Sequence, residues 1–301
     1  MSINDIVPKK LREIQNHSVD STQWNEFIYR DGDVVIASWA KAGTTWVQQI
    51  VGQLIFGGKP DLETRFISLW LDSHWPPKST KLEHLSRQNH RRFFKTHLPA
   101  DALVFSQKAK YIYIGRNAPD IVWSLYNHLL NFNDEVFDTV EKMSNRVGPS
   151  LKRPTVDFHE FWNQWLHNDG YPMYPFWEHV RSWWDIGKSP FIKILHFESL
   201  REDMEREIFG IADFLGISVT TEQMGRICEY CSFDWMKKNP YKTVPVGMDN
   251  MIGGAGTFYH KGTKGQWKDH LSESDILEYK EYAIAELGDE CASWLFGGHE
   301  F

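Results

Sequence analysis

One stretch near the N-terminus, residues 34–56 (VVIASWAKAGTTWVQQIVGQLIF), constrains the fold more than any other. Its first residues, Val34–Ser38, form a short run of mostly β-branched apolar side chains, which is typical of a buried strand in a parallel sheet. The loop Trp39–Gly43 follows, and apolar side chains then recur at helical spacing from Trp46 to Ile55. Because the first backbone N–H groups of a helix are free and lie at its positive end, we expect this loop to bind an anion such as phosphate.

The loop lacks the phosphate-loop pattern of nucleoside triphosphatases, G-x-x-x-x-G-K-[ST]. Lys41 precedes Gly43 by two residues, whereas the lysine of that pattern follows its second glycine. Taken alone, the stretch is also compatible with an ordinary strand-to-helix turn that carries a solvated lysine.

Length and charge restrict the possible classes of protein. A chain of 301 residues can bury a large core, and we expect a single domain over residues 1–301. The formal net charge of -7 argues against a nucleic-acid partner, so an anion site requires a local concentration of positive charge. The candidates for that concentration are Arg91, Arg92, Lys95, Arg116, Lys261 and Lys264.

Cysteine content and hydropathy predict a cytoplasmic protein. Three cysteines do not form a disulfide framework, and the C-x-x-C pattern at Cys228–Cys231 has no second Cys/His pair that would indicate a metal site. The segment Met1–Arg12 has no apolar centre, so we do not expect a signal peptide. The longest uncharged run, Ala42–Gly58, contains three Gln and four Gly, and we expect no membrane span.

Apolar runs alternate with helical patterns along the rest of the chain. Three further strands are predicted, at Arg92–Leu98, Lys110–Arg116 and Phe191–Phe197. Helical patterns occur at Phe158–Leu166 and Trp177–Trp184, and Pro119 can begin another helix. The alternation predicts an α/β fold, a single domain with a central parallel β-sheet flanked by helices and joined by right-handed crossovers.

The predicted topology gathers several polar residues at one place. Ligands of parallel sheets bind beyond the carboxyl ends of the strands, and Lys41, His97, Arg116 and Phe197 all fall there. Residues 247–265 contain six glycines, so we expect a lid near the site. The run Phe66–Trp70 could line an acceptor pocket or lie on the surface.

Three ordered motifs resemble those of the cytosolic-type sulfotransferases. The stretch A-K-A-G-T-T-W resembles the family's 5′-phosphosulfate loop, P-K-[SA]-G-T-T-W, with Ala40 in place of the proline. F-K-T-H-L-P at Phe94–Pro99 resembles the segment that carries the catalytic histidine. I-G-R-N-A-P-D-I-V-W-S at Ile114–Ser124 resembles the 3′-phosphate motif, in which Ser124 follows Arg116 by eight residues.

The resemblance extends from about residue 30 to residue 270. The helix Trp177–Trp184 resembles the one before the family's fourth strand, and the segments Cys231–Phe233 and Met236–Pro240 are similar to the family's adenine-side segment. Phe258–Lys268 is similar to the phosphate loop R-K-G-x-x-G-x-W-K.

This resemblance implies an enzyme that moves a sulfuryl group from 3′-phosphoadenosine 5′-phosphosulfate (PAPS) to a hydroxyl or amine, leaving adenosine 3′,5′-bisphosphate (PAP), without a metal. It makes His97 the general base, and it places Lys41 on the phosphate and bridging oxygens and Lys95 on the sulfonate oxygens, as their chemistry permits. The 14 Trp and 15% aromatic content suggest a small apolar or aromatic acceptor. The donor-binding residues implied are Lys41, Ala42, Gly43, Thr44, Thr45, Trp46, Arg116, Ser124, Phe197, Ser232, Phe233, His260, Lys261 and Gly262.

The sequence also departs from the family pattern. His260 stands where the family has arginine, so one 3′-phosphate contact is expected to be weaker or to depend on pH, and Phe197 replaces a tyrosine. The family's dimer motif is not seen after Lys268, which leaves the oligomeric state open. Two alternatives remain at this point: a P-loop-like small-molecule kinase, which would need Mg²⁺, and a non-catalytic nucleotide-binding module, which would not need His97.

Overall fold

A parallel sheet of four strands forms the centre of the protein. We analysed a computed structural model, which describes residues 7–142, 147–148, 150–247, 250–259, 262 and 265–297. The strands lie in the order β2-β1-β3-β4, and every neighbouring pair is parallel. Their bounds are β1 (Asp33–Ala37), β2 (Phe93–Thr96), β3 (Ala109–Gly115) and β4 (Ile192–His196). The predicted parallel α/β fold is therefore confirmed.

The register of the sheet brings the strand ends to one edge. Ala37, the last residue of β1, pairs with Thr96 of β2 and with Tyr113 of β3, and Gly115 of β3 pairs with His196 of β4. Each strand is followed directly by a residue at this carboxyl edge. These residues are Ser38, His97, Arg116 and Phe197.

Helices pack on both faces of the sheet. The predicted patterns at residues 158–166 and 177–184 appear as helices one residue longer, and Pro119 lies at the start of its helix as predicted. The final helix contains a kink at Gly288, whose φ of 75° is not helical. The helices are α1 (Thr44–Ile55), α2 (Thr64–Ile67), α3 (Lys78–Ser86), α4 (Ala118–Leu130), α5 (Asp134–Glu141), α6 (Phe158–His167), α7 (Trp177–Asp185), α8 (Phe197–Glu202), α9 (Met204–Leu215), α10 (Thr221–Cys231), α11 (Phe233–Lys238), α12 (Pro240–Thr243) and α13 (Glu273–Gly297).

Alternate residues of β1 belong to two different cores. Val34 and Ile36 pack in a cluster with apolar side chains of α1, α9 and α10. Val35 and Ala37 pack on the opposite face with residues of α4, α6, α7 and α13. Because both faces are covered, nearly every side chain of the strand is apolar, and burial of each Val or Ile contributes about 1.5–3 kcal/mol.

Two of the predicted anion-site arginines lie elsewhere. Arg92 forms a buried ion pair with Asp33, the first residue of β1, at 2.5 Å. The guanidinium of Arg91 donates to the carbonyl oxygens of Gly32 and Leu215. Both arginines thus hold the amino end of the sheet together, and their inclusion among the anion-site candidates was wrong.

Cys228, Cys231 and Cys291 are all free thiols. None of the described helices combines the length and the apolar composition needed to cross a membrane.

Candidate active site

The loop between β1 and α1 has a conformation that only certain residues adopt. Lys41 has a φ of 66° and Gly43 a φ of 117°, which places both in the left-handed region. A Cβ on Gly43 would lie 2.8 Å from the ring of Phe197, so the loop also needs glycine for lack of space. The hydroxyls of Ser38 and Thr44 lie 2.5 Å apart and close the base of the loop.

The N-terminus of α1 is open to a ligand. Its N-cap residue is Gly43, and no side chain caps the first turn. The first N–H groups of a helix therefore point out of the loop beside the Lys41 side chain, as an anion site requires.

A cavity of about 740 Å³ opens beyond the carboxyl edge of the sheet. Most of the predicted site residues line it together. They are Lys41, Gly43, Thr44, Thr45, Trp46, Lys95, His97, Arg116, Ser124, Phe197, Phe233 and Gly262.

Two described residues among the predicted donor-binding set do not line the cavity. Ala42 is buried in the loop, where its N–H donates to the Trp39 carbonyl at 3.4 Å. The hydroxyl of Ser232 caps α11 by accepting from the N–H of Trp235 at 3.2 Å. His260 and Lys261 lie outside the described residues. The donor roles of these four residues stay predictions, as do those of the residues that line the cavity.

His97 is held by the strand edge in one tautomer. Its Nδ1 lies 2.7 Å from the carbonyl oxygen of Ser38, so Nδ1 carries the hydrogen and Nε2 keeps a lone pair. Burial lowers the pKa of His97 well below its usual value, and the nearby Lys95 ammonium lowers it further. The ring is therefore neutral near pH 7, as a general base must be.

A buried carboxylate organises the acceptor side of His97. Asp72 accepts hydrogen bonds from the backbone N–H of His97 at 3.2 Å and from the indole of Trp70 at 2.8 Å. The Trp70 ring meets His97 edge-on at 4.9 Å and receives the Lys95 ammonium on its face at 4.6 Å. Burial lowers the pKa of Lys95 to about 8, while the Asp72 charge opposes that shift.

Lys41 is the second ammonium group of the cavity. Its Nζ lies 3.2 Å from Nδ1 of His128 and 4.5 Å from the centre of the Phe258 ring. Burial lowers the pKa of Lys41 to about 7, and repulsion from Lys95 and Arg116 contributes to this shift. An anionic ligand raises the pKa of such a lysine again, because the negative charge stabilises the ammonium form.

Arg116, the first residue after β3, also lines the cavity. Its guanidinium stacks over the Phe197 ring at 4.0 Å and lies 3.8 Å from the carboxylate of Asp120. The buried Nε atom of Arg116 has no hydrogen-bond acceptor among the described residues. Asp120 also accepts from the backbone N–H of Gly265 at 3.0 Å, which ties the glycine-rich segment to α4. The arrangement leaves a buried donor available to an anion.

Aromatic side chains line the cavity around Trp46. The indole of Trp46 donates to the Cys231 carbonyl at 2.8 Å and meets the Phe197 ring edge-on at 5.3 Å. Phe233 packs directly against Gly262, where any Cβ would approach the ring to 2.5 Å. These contacts position flat apolar surfaces beside Arg116, which suits a purine.

Apolar side chains form much of the wall of the cavity that also contains His97. The run Phe66–Trp70 contributes Leu69 and Trp70, so the expectation that this run lines a pocket is supported. The other apolar residues of this wall come from several segments. They are Trp75, Phe132, Val136, Val140, Leu151, Met173 and Tyr174.

Three polar residues of the site were not identified from the sequence. Asp120 and His128 lie four residues before and after Ser124, so all three share one face of α4, and this spacing was a usable signal. Asp72 lies in an irregular segment and reaches the site only because Trp70 bridges to Lys95 of β2. No local pattern announces such a contact.

The structure adds no metal ligands to this picture. Within the part of the chain that is described, no group of three His, Cys, Asp or Glu side chains could hold a metal ion. Metal independence stays a prediction.

The carboxyl edge of the parallel sheet carries an open phosphate loop, two ammonium groups and a neutral imidazole. This arrangement is typical of group-transfer enzymes that use phosphorylated donors. Residues 31–289 match the sulfotransferase domain family, and the chain belongs to that family. It is 33% identical to sulfotransferase 1A1 of Mus musculus over 82% of this chain and 81% of that protein. It is also 26% identical to a glycolipid sulfotransferase of Mycobacterium bovis, with 86% of each chain covered.

A solved structure shows the same fold. The mouse sulfotransferase SULT7A1 complexed with PAP superposes with a TM-score of 0.69 at 21% identity, covering 91% of this chain and 92% of that one. The predictions that this chain has the sulfotransferase fold and is a sulfotransferase are therefore confirmed. The kinase and binding-module alternatives are not favoured.

Proposed function

We propose that this sulfotransferase moves the sulfuryl group of PAPS to a hydroxyl group of a small apolar acceptor and releases PAP. The observation that carries the proposal is the cavity itself, which joins Lys41, His97 and Arg116 in one space. An anion site at one end and an apolar wall at the other match a charged donor and an uncharged acceptor.

The donor fits the residues of the anion region. The uncapped first turn of α1 and the Lys41 ammonium are suited to the 5′-phosphosulfate. The free Nε of Arg116 and the adjacent Ser124 are suited to the 3′-phosphate. PAPS supplies an activated sulfuryl group, and the mouse structure complexed with PAP supports a donor of this kind.

His97 acts on the acceptor. Its Nε2 lone pair takes the proton of the acceptor hydroxyl as the new oxygen–sulfur bond forms and the bond from sulfur to the phosphate oxygen breaks. Lys41 stabilises the negative charge left on that phosphate oxygen, and Lys95 stabilises the sulfonate oxygens. The reaction therefore yields a sulfate ester and PAP, and the acceptor proton is left on His97.

The acceptor wall favours an apolar alcohol. Its aromatic and aliphatic side chains offer few partners to a polar molecule, so burial of apolar surface supplies most of the binding energy. The mycobacterial relative is named a glycolipid sulfotransferase, which is compatible with an acceptor that is apolar along much of its length.

Transfer of a labelled sulfuryl group tests the proposal. The protein is incubated with sulfur-labelled PAPS, a panel of apolar and polar alcohols and amines, and excess chelator. We expect labelled sulfate esters of apolar alcohols and equimolar PAP, with activity that persists without free metal. The Lys41→Met variant is the matched control. A protein that binds neither PAPS nor PAP, or that transfers phosphate from ATP with Mg²⁺, would overturn the proposal.

A further inference from the structure

His128 contacts Lys41 of the phosphate loop, although the two residues are far apart in the sequence. It lies on α4, and its Nδ1 is 3.2 Å from the Nζ of Lys41. Its ring packs against Phe132 at 4.4 Å and Phe258 at 5.7 Å, so its orientation is fixed by aromatic neighbours. Both Lys41 and His128 line the cavity.

His97 and His128, which both line the cavity, hold opposite tautomers. An ammonium group only donates, so Nδ1 of His128 must accept from Lys41, and the ring hydrogen lies on Nε2. His97 shows the reverse, with its hydrogen on Nδ1 and its lone pair on Nε2. Burial, Lys41 and Lys95 keep the pKa of His128 well below its usual value, so its lone pair is available near pH 7.

The surroundings of Lys41 otherwise oppose its charge. The charged groups that face it are Lys95 from β2 and Arg116 from the end of β3, and both are cationic. Asp120 is engaged with Arg116 and Gly265, and His97 is neutral. Among the described residues, the Lys41 ammonium has one hydrogen-bond acceptor, Nδ1 of His128.

We propose that His128 is a positioning residue, which accepts the hydrogen bond of the Lys41 side chain and so keeps Lys41 in its ammonium form at the donor site. The inference rests on the proposed function only in taking Lys41 as a donor-binding group. Removing the acceptor leaves a buried cation beside two others, and Lys41 then loses its proton more readily.

Titration of Lys41 in the ligand-free protein tests this directly. Acetic anhydride acylates neutral amines, so the rate of Lys41 acylation against pH, followed by peptide mass spectrometry, reports its ionisation. In His128→Phe, which keeps an aromatic ring, we expect the midpoint of the Lys41 titration to fall by about one pH unit. This shift corresponds to about a tenfold change in the ionisation constant. His128→Asn should restore the midpoint, because its amide oxygen can replace Nδ1, whereas His128→Gln reaches further and should not.

PAP binding gives a second measurement on the same variants. We expect His128→Phe to weaken PAP binding by about tenfold near pH 8 and by only about twofold near pH 6, where Lys41 is mostly protonated in the wild type and about half protonated in the variant. An unchanged Lys41 midpoint in His128→Phe, or equal midpoints in the Asn and Phe variants, would overturn the inference. A shifted midpoint in a protein that binds no PAP would instead support the inference and refute the proposed donor. Circular dichroism establishes that each variant is folded.

Discussion

The Nδ1 atom of His97 lies 2.7 Å from the carbonyl oxygen of Ser38, the first residue after β1. This hydrogen bond joins the imidazole at the end of β2 to the loop at the end of β1, and Ser38 also contacts Thr44 at the start of α1. The lone pair on Nε2 and the anion region are therefore fixed relative to each other by the sheet.

The first prediction follows from this contact. His97→Ala removes the lone pair that takes the acceptor proton, so kcat should fall by about 10²–10⁴-fold. PAP affinity should change little, because the imidazole is placed to meet the acceptor. Steady-state kinetics with labelled PAPS and calorimetric titration with PAP measure the two effects.

His97→Asn serves as the matched variant. An amide can keep the hydrogen bond to Ser38 through its N–H group but offers no base at the Nε2 position. We expect the same loss of kcat with better preserved thermal stability. Turnover close to wild type in either variant would exclude His97 as the base.

The second prediction concerns the pH dependence of PAP binding. Burial lowers the pKa of Lys41 to about 7 and that of Lys95 to about 8. Anions prefer the ammonium forms, so affinity is greatest below these values and falls as pH rises through them. Because the second pKa of a phosphate is about 6, measurements from about pH 7 to pH 9 report the protein groups.

Calorimetric titration of PAP across this range checks the second prediction. In Lys41→Met the decline that begins near pH 7 should disappear, and only the decline associated with Lys95 should remain. An affinity that does not vary with pH in the wild-type protein would contradict the assignment of Lys41 to the anion site.

Much of this site was predictable because sequence periodicity and motif spacing are local. The strand ends that carry Lys95, His97 and Arg116 were located from apolar runs alone, since parallel strands expose the residues that follow them at one edge. The partners of these residues were not predictable in the same way. Asp72 reaches the site through a tertiary contact with His97, which no local pattern records. The spacing of His128 from Ser124 places it on the same face of α4, but nothing local indicates that it meets Lys41.

The third prediction tests the shape of the phosphate loop. Gly43→Ala places a Cβ 2.8 Å from the Phe197 ring at a residue with a φ of 117°. We expect a loss of about 1–3 kcal/mol in the free energy of unfolding and weak PAP binding, since the loop must shift to relieve the contact. Denaturant unfolding and calorimetry measure both quantities.

Gly225→Ala is the matched control for that substitution. Gly225 lies within α10, and a Cβ there would meet nothing within 4 Å. Alanine should leave PAP binding unchanged and increase the free energy of unfolding by up to about 1 kcal/mol, because it favours the helix. A Gly43→Ala protein as stable and as tightly binding as Gly225→Ala would contradict the described loop geometry.

The last prediction concerns the second phosphate, which distinguishes PAP from 5′-AMP. Arg116 is buried beside Phe197 with a free Nε donor, and Ser124 lines the cavity two turns along α4. One charge-assisted hydrogen bond contributes about 1.5–3 kcal/mol, and 1.4 kcal/mol corresponds to about tenfold in affinity. PAP should therefore bind at least about tenfold more tightly than 5′-AMP, and Arg116→Ala should remove most of that difference.

Arg206→Ala, at an exposed position of α9, should preserve the difference in affinity between PAP and 5′-AMP. Thermal-shift and calorimetric titrations of both nucleotides measure the ratio. Equal affinity of the wild-type protein for PAP and 5′-AMP would refute the 3′-phosphate site, because the second phosphate would then contribute nothing to binding.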